Sequence, residues 1–486
     1  MSNILKIIKK HRYSILIFFG LLLLCISRFI LLERSARFIW DESSDLVRMH
    51  EIFTNRRLTL VGPMDLTGTK IFGSLSYYML MPFALLYQFD PIGPVIGTAF
   101  YSVVTALIFV CILSKKYHWK YPIAFVFITF VFPLVQSGRW AWNPHYIPLW
   151  SIVSLAIILW KYDSPSWKVW FLAGFFQMLG IHNHWYAVFS YIGFFVSIII
   201  IGFNEKRKKI ILYYFFGGFA AVLPFIIFDI LRPPGLFISR LLYFSPLSPT
   251  SGGFTLAGIA QKLASNPWQF IHYFFQSTPA VFIFIPIFLL YLYLVIKKGT
   301  NGLKKLLLIP IIFQILGLSV ISTDVSDYYF LAAIPAFILF ITIPEKNRTL
   351  KRVQKVLLIV FFILSIYPSI HEITKNDWST NISRTKHIAE IIAKNSSQYC
   401  NIYVVASKDS GVLGEKYRDL LSLKGVPILG PAEFGVSDCL FVISTSPLAV
   451  IRKDPAYEMD FMRKKEPIQT WNVEDGWKIY KFVSWN

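Results

Sequence analysis

The chain has 486 residues, of which 55% are hydrophobic, 17% are aromatic and only 15% are charged. A soluble domain usually carries about 25% charged residues, so this composition cannot supply the polar surface that a soluble fold of this size needs. A soluble enzyme, a disordered chain and a collagen-like chain are therefore excluded. Apolar runs of about 20 residues instead predict one large membrane-embedded unit.

The formal net charge is +21, from 48 Lys and Arg residues against 27 Asp and Glu residues. In a soluble protein this excess would point to nucleic acid as a partner. Here most of the basic clusters flank apolar runs, as cationic anchors do at the inner leaflet of a membrane. We therefore assign the positive charge to topology and membrane lipids, and we expect no nucleic acid partner.

The first apolar run, residues 13–32, follows a basic segment that contains Lys6, Lys9, Lys10 and Arg12. A signal peptide has a shorter apolar region of about 7–15 residues, followed by a small-residue cleavage site. The run is longer than that and has no convincing cleavage pattern. We expect a retained first membrane helix whose N-terminus lies in the cytoplasm.

Eleven apolar runs have a length typical of membrane-spanning helices. They lie near residues 13–32, 94–113, 121–136, 145–161, 168–182, 186–203, 210–230, 271–296, 303–321, 328–344 and 354–370. Every second loop between them is basic, as the positive-inside rule requires of cytoplasmic loops. Because the number of spans is odd, we expect a multi-pass protein of the plasma membrane whose C-terminal segment lies outside.

The apolar stretch 71–89 does not fit this alternation. It is interrupted by Pro82, and a further crossing here would invert every later loop. We interpret it as an interfacial or re-entrant helix on the outer face, which is tolerated where protein buries the backbone. Tyr77 and Tyr78 within it suit an interface.

The predicted outer loops collect the unusual polar residues of the chain. They include Asp41, Glu42 and Asp45 in the first loop, Trp142 and Asn143 in the second, His182 and His184 in the third, Asp229 and Arg232 near the fourth, and Asp327 and Tyr328 in the fifth. Polar residues at membrane depth are costly and usually functional. Their sidedness predicts a cavity that opens to the outer leaflet.

Each of these features also has a structural explanation. Asp41 and Glu42 begin a predicted helix over 41–56 and could cap its N-terminus. Asp45 and Arg48 could form an ion pair within that helix. The other structural readings are interface anchoring by Trp140 and Trp142, ordinary burial of His182 and His184, and pairing of Asp229 with Arg232.

Four segments occur in an order that resembles a known family. They are Asp41-Glu42 with Asp45; Leu60-Val61-Gly62-Pro63 leading to Phe72-Gly73-Ser74-Leu75-Ser76-Tyr77-Tyr78; Gly138-Arg139-Trp140-Ala141-Trp142-Asn143-Pro144; and His182-Asn183-His184. Together they resemble the GT-C superfamily of membrane glycosyltransferases, in particular bacterial members related to protein O-mannosyltransferases and the lipid A aminoarabinose transferase. The resemblance implies a polytopic α-helical membrane fold with helices of the first loop on the outer face.

The resemblance also implies an inverting transferase, which moves a hexosyl or pentosyl group from a polyprenyl-phosphate donor to a hydroxyl of a lipid, glycan or protein acceptor. Asp41 would be the catalytic carboxylate, with Glu42 second. The candidates for the donor phosphate are Arg139, Lys70, Arg232 and Arg240. The candidates for the cavity lining are Asp45, Trp142, Asn143, His182, His184, Asp327 and Tyr328. A divalent metal ion could bind Asp41, His182 and His184.

After residue 371 the composition turns polar, so we expect a membrane module over 1–371 and an α/β domain over 372–486 on the outer side. Helices are predicted over 379–394, 415–423 and 455–465, strands over 400–407, 426–429 and 439–444, and a hairpin over 468–484. Cys400 and Cys439 could pair in an oxidising compartment or stay separate thiols. The domain could position the acceptor or stabilise the module.

Two other functions fit the same features. A transporter or flippase for a lipid-linked or anionic substrate would explain the many spans and the polar cavity. Against it, the sequence shows no internal repeat, and the polar residues gather at one side rather than near the midplane. A non-catalytic GT-C homologue that serves as a binding subunit is the third reading, and mutation of Asp41 would distinguish it from an enzyme.

Overall fold

The structure is a computed structural model. It describes residues 2–64, 71–204, 207–238, 255–298, 302–321, 324–376, 380–397, 399–405, 414–454, 457–460 and 466–483. Helices fill most of this part of the chain, as the apolar composition predicts. Two sets of strands accompany them, one near residue 60 and one near the C-terminus.

The helices up to residue 374 follow each other with short connections. They are α1 (Ser2–Phe29), α2 (Leu32–Ser35), α3 (Trp40–Thr54), α4 (Leu75–Leu86), α5 (Ile92–Cys111), α6 (Tyr121–Thr129), α7 (Phe132–Ser137), α8 (Ile147–Trp160), α9 (Trp167–Asn183), α10 (Ala187–Asn204), α11 (Lys209–Leu231), α12 (Leu256–Phe275), α13 (Thr278–Lys297), α14 (Gly302–Ser319), α15 (Ile334–Thr342) and α16 (Arg348–Thr374). Short 3-10 turns at Asn143–Tyr146 and Asp327–Phe330 precede α8 and α15.

Six described helical segments are long and apolar enough to cross a membrane. They are His11–Phe29, Ile92–Lys116, Lys209–Leu231, Thr278–Lys297, Gly302–Ser319 and Arg348–Thr374. At about 1.5 Å per residue, 20 residues of helix match a hydrocarbon core of about 30 Å. The chain thus has the architecture of a multi-pass membrane protein, while the number of eleven crossings stays a prediction.

Two of the predicted spans are interrupted. The apolar run 271–296 contains the end of α12 at Phe275 and the start of α13 at Thr278, with Gln276 in the left-handed region at φ 50°. Pro279 follows directly and lacks the amide hydrogen that a continuous helix would use. The run 121–136 is likewise divided into α6 and α7, and Pro133 lies in the first turn of α7.

The stretch 71–89 begins with β2 (Ile71–Gly73), which pairs antiparallel with β1 (Val61–Met64), and continues as a short helix, α4. The 12 residues of α4 extend over about 18 Å, which is shorter than a hydrocarbon core of about 30 Å. This length suits the interfacial or re-entrant helix that the sequence predicts.

The chain divides into two compact units. The larger unit contains Met1–Ile30, Thr59–Met79 and Thr98–Ile373, and the smaller unit contains Leu31–Leu58, Leu80–Gly97 and Thr374–Asn486. Helix α3, with the acidic residues of the first predicted outer loop, therefore belongs to the same unit as the C-terminal segment. The sequence-based boundary near residue 372 did not anticipate this grouping.

In the larger unit, α9 and α11 approach each other closely. A Cβ on Gly174 of α9 would overlap the carbonyl oxygen of Tyr214, and a Cβ on Gly217 of α11 would overlap the carbonyl oxygen of Phe171. Small residues let helix backbones approach in this way in membrane proteins. Only glycine fits at these two positions without a shift of the backbone.

The smaller unit contains a four-stranded sheet. Its strands are β3 (Cys400–Val405), β4 (Cys439–Ser444), β5 (Gln469–Asn472) and β6 (Lys478–Val483), in the order β3-β4-β6-β5. β3 and β4 are parallel, and the other two pairs are antiparallel. The further helices of this unit are α17 (Ile382–Asn395), α18 (Glu415–Leu423), α19 (Leu448–Ile451) and α20 (Tyr457–Asp460).

Side chains alternate between the two faces of this sheet. Ile402 and Phe441 face Ile388 and Leu421, which lie on α17 and α18. The opposite face carries Tyr403, Leu440, Val442, Tyr480 and Phe482, packed with Phe434, Ile451 and Met459. This period of two is the one that a sheet buried on both faces requires, and the predicted α/β architecture is confirmed.

Most of the predicted C-terminal elements match the structure, with one exception. Residues 426–429 are not a strand, because Gly425 turns at φ 67° and only Leu429 donates to β3, at the carbonyl of Cys400 (3.0 Å). The predicted helix over 455–465 is described only in part, as α20, and residues 461–465 lie outside the described residues.

Cys400 and Cys439 form a disulfide bond. They are direct neighbours in the register of β3 and β4, and both are almost fully buried. The parallel pairing of these two strands decides between the two alternatives that the sequence left open. Cys25 and Cys111 are free thiols.

Candidate active site

The acidic residues of α3 lie in its first turn. The helix starts at Trp40, with Ile39 as its N-cap, and the buried Glu42 accepts a hydrogen bond from the Ile39 amide at 2.8 Å. A carboxylate that caps its own helix is held by an amide and by the helix dipole. Glu42 thus has the structural role that the sequence offered as an alternative, and the half-buried Asp41 is the stronger catalytic candidate.

The ion pair on α3 differs from the one that the sequence suggested. Arg48 donates to Glu51 at 2.8 Å, with both side chains about half exposed. An exposed pair of this kind contributes only about 0.3–0.5 kcal/mol. Asp45 is half-buried on the same helix, and its predicted role in the cavity stays a prediction.

Arg139 is fully buried in the larger unit, where its guanidinium contacts helix ends. It donates to the carbonyls of Ser27, Arg28 and Ile30 at the end of α1, at 3.0, 3.2 and 2.7 Å. It also donates to the carbonyl of Ile373 in α16 at 3.2 Å. Carbonyls at a helix C-terminus attract cations. The geometry therefore favours a structural role for Arg139 over contact with a donor phosphate.

Of the other three phosphate candidates, Arg232 lies within the described residues. Lys70 and Arg240 lie outside the described residues. Arg232 follows α11, is exposed, and places its guanidinium 5.1 Å from the centre of the Phe228 ring. The predicted ion pair between Asp229 and Arg232 is not among the described contacts. The carboxylate of Asp229 accepts from the backbone amides of Leu236, Phe237 and Ile238, at 2.8, 3.0 and 2.7 Å.

Several of the predicted cavity residues of the larger unit form one aromatic cluster. Trp142 stacks on Trp140 with ring centres 4.4 Å apart, and it meets Tyr328 edge-to-face at 4.4 Å. His184 stands 5.5 Å from Tyr328 and stacks on Phe72 at 5.0 Å. The second, third and fifth predicted loops therefore meet, together with Phe72 of β2.

Two further candidates of the larger unit are bonded to their surroundings. Asn143 donates to the carbonyl of Asn183 at 2.7 Å and is buried. Asp327 accepts from Gln276 at 3.2 Å on a partly exposed surface. These bonds join the turns before α8 and α15 to the ends of α9 and α12.

His182 and His184 have different neighbours, although only one residue separates them. The Nε2 atom of His182 lies 2.8 Å from the carbonyl oxygen of Ala221, and its ring lies directly against Gly73. His184 belongs to the aromatic cluster. Within the described part of the chain, no three His, Cys, Asp or Glu side chains are grouped so that they could hold a metal ion. The metal set of Asp41, His182 and His184 stays a prediction, and no step below depends on it.

Sequence reasoning missed one polar contact of α3. The Oγ atom of Ser43 lies 2.5 Å from Oδ2 of Asp419 on α18. Burial raises the pKa of Asp419 to about 6, Ser43 acts in the opposite direction, and Glu415 adds to the rise. The two residues are 376 positions apart in the chain, so no local pattern could have paired them.

Comparison with known proteins identifies the fold. No family model matches the chain, and no curated protein matches it. The search of solved structures assigns the GT-C fold to the chain.

Two of the solved structures that share this fold are crystal structures of ArnT from Cupriavidus metallidurans, a lipid A aminoarabinose transferase. The first is bound to undecaprenyl phosphate, with a TM-score of 0.57, 10% sequence identity and coverage of 97% of each chain. The second is the apo state, with a TM-score of 0.55, 9% identity and coverage of 98% of each chain. At this identity the likeness shows the fold.

Proposed function

We propose that the protein is an inverting glycosyltransferase, which moves a sugar from a polyprenyl-phosphate donor to a hydroxyl of a lipid, glycan or protein acceptor at the outer face of the plasma membrane. The observation that carries this proposal is the GT-C fold over nearly the whole chain, shared with a structure that holds undecaprenyl phosphate. The acidic first turn of α3 supports it, since the reaction needs a base near the acceptor.

The reaction exchanges one bond at the anomeric carbon of the sugar. The acceptor hydroxyl attacks this carbon, and the bond to the phosphate oxygen of the donor breaks with inversion. The electron pair leaves with polyprenyl phosphate, and the proton of the hydroxyl passes to the carboxylate of Asp41. Proton transfer by a positioned side chain contributes typically about 10²–10⁴-fold to a rate.

Positive side chains would stabilise the leaving phosphate. Lys70, Arg232 and Arg240 are the proposed contacts, because Arg139 is already held by backbone carbonyls. An Arg fork matches the oxygens of a phosphate. The aromatic cluster around Trp142 and its neighbours would line the sugar cavity, since aromatic rings offer rigid apolar faces with a polar edge.

The sidedness of the site is part of the proposal. The N-terminus would lie in the cytoplasm, and the C-terminal segment would lie outside. The basic clusters in every second loop support this orientation. The Cys400–Cys439 disulfide supports it independently, because disulfides form and persist in oxidising compartments.

The test is an assay of the purified full-length protein with a panel of labelled polyprenyl-phosphate sugars. Release of polyprenyl phosphate in the presence of an acceptor extract is the expected result, and Asp41→Asn should lower it by about 10²-fold or more. Glu51→Gln on the same helix is the matched control and should leave the rate unchanged. A parallel assay with a chelator tests the predicted metal ion.

Two outcomes would contradict the proposal. One is the absence of release from every donor in the panel. The other is release at the normal rate by Asp41→Asn, which would remove Asp41 from the mechanism. Movement of the intact donor across liposomes by the same preparation, without release, would favour the transporter.

A further inference from the structure

The contact between Ser43 of α3 and Asp419 of α18 lies two residues along α3 from the proposed base, Asp41. Ser43 is fully buried, and its Oγ lies 2.5 Å from Oδ2 of Asp419. The same Oγ lies 3.0 Å from the carbonyl oxygen of Trp40. A hydroxyl has one proton to donate, so the carboxylate, as the shorter contact, takes the stronger of the two bonds.

Hydrogen bonds of Arg418 hold α18, the helix that carries Asp419, in place. Arg418, the neighbour of Asp419 on α18, donates to Oδ1 of Asn401 at 2.5 Å and to the carbonyl of Ile402 at 2.7 Å. It also donates to the carbonyl of Leu429. Two of these three acceptors, Asn401 and Ile402, lie on the edge strand β3, and β3 is joined to β4 by hydrogen bonds and by the disulfide.

Other contacts of the smaller unit hold the chain before α3 and the chain after α4. The amide of Phe38 donates to the carbonyl of Thr380 at 2.7 Å. Lys386 of α17 pairs with Asp90 at 2.7 Å and with Glu33 at 3.4 Å. The C-terminal segment therefore contacts α3, the chain before it and the chain after α4, and Ser43–Asp419 is a polar contact on α3 itself.

We infer that Asp419 is a positioning residue, which through Ser43 fixes the first turn of α3 and with it the carboxylate of Asp41. The inference rests on the proposed function, because it assigns the C-terminal segment a part in aligning the base rather than in binding the acceptor. Asp419 itself contacts no substrate in this scheme. Its loss should therefore lower kcat and leave the KM for the donor unchanged.

The size of the effect follows from the precision that a base requires. A displacement of about 1 Å can cost about 10²-fold in rate. We expect Asp419→Ala and Ser43→Ala each to lower kcat about 10- to 100-fold. The double variant should be no worse than either single one, since both remove the same contact.

Asp419→Asn provides the matched rescue, because its amide oxygen can still accept from Ser43. It should retain most of the kcat. Asp438→Ala, an exposed residue of the same unit, is the control. A normal kcat for Asp419→Ala would overturn the inference. A loss of kcat in Asp419→Asn as large as in Asp419→Ala would also overturn it, because the carboxylate would then act chemically.

A second measurement does not depend on activity. Hydrogen–deuterium exchange of the full-length protein should be faster over 40–54 in Asp419→Ala and Ser43→Ala, and unchanged in Asp419→Asn and Asp438→Ala. If Asp419→Ala fails to fold, Ser43→Ala, which removes only a hydroxyl, takes its place. If the wild type turns over no donor, the proposed function fails, while the exchange result still decides whether this contact holds α3. Unchanged exchange would contradict the inference.

Discussion

Gly174 of α9 and Gly217 of α11 each face the backbone of the opposite helix. A Cβ on either residue would overlap a carbonyl oxygen of its neighbour. Because backbone atoms cannot rotate away as a side chain can, this approach fixes the relative position of the two helices. One of them, α9, ends in the His182-Asn183-His184 turn.

We predict that Gly217→Ala destabilises the protein by about 1–3 kcal/mol, since the added methyl group forces the two helices apart. Thermal unfolding in detergent, followed by size-exclusion chromatography, measures the change. Gly202→Ala is the control, because its new methyl group would meet the flexible side chain of Ile211 at 3.1 Å. Equal melting of the two variants would contradict the close approach of α9 and α11.

The described bonds of Arg139 to backbone carbonyls lead to a second prediction. Arg139→Ala should lower the free energy of unfolding by about 3 kcal/mol or more, because buried carbonyls lose their donor. Arg139→Lys should recover only part of this loss, since one ammonium cannot reach the carbonyls that the fork spans. Thermal unfolding measures both. A variant of normal stability that requires more donor lipid would instead place Arg139 at the phosphate.

Asp419 should make stability depend on pH. Burial raises its pKa from 3.8 to about 6 in the folded protein. Between these values the folded state binds more protons than the unfolded state, so the free energy of unfolding falls as pH rises through this window, by at most about 3 kcal/mol. Asp419→Asn removes the cost of ionisation and keeps the acceptor for Ser43.

The variant Asp419→Asn should therefore melt at a higher temperature than the wild type at about pH 7.5, with the difference shrinking towards about pH 4. Melting curves across this range check the sign. A variant that is less stable than the wild type at neutral pH would show that the ionised carboxylate is favoured in the folded state.

The disulfide should contribute to the stability of the smaller unit. It closes a loop with a sequence separation of 39 residues, which corresponds to about 4 kcal/mol by chain entropy. We expect Cys400→Ser/Cys439→Ser to unfold at a lower denaturant concentration. Cys25→Ser/Cys111→Ser is the matched control, since neither residue is disulfide-bonded. Equal unfolding midpoints would contradict the prediction.

Local patterns predicted the elements that depend on local chemistry. Helix α18 over Glu415–Leu423 and strand β4 over Cys439–Ser444 match the predicted bounds, because amphipathic period and β-branched content are properties of a few neighbouring residues. The prediction of a strand over 426–429 is wrong because it also rested on local pattern alone. A short apolar run forms a strand only if the edge of a partner strand continues beside it. Among the described residues, this run donates one backbone hydrogen bond to β3, from the amide of Leu429 to the carbonyl of Cys400.

The sequence by itself determined the membrane character, the order of the helices and the polar α/β segment, since hydropathy and charge act locally along the chain. Only the tertiary structure decided that Cys400 meets Cys439, that Ser43 meets Asp419, and that Arg139 is bonded to helix ends. Such contacts join residues that are distant in the chain. Their energy depends on distance and burial in space, which no spacing in the sequence encodes.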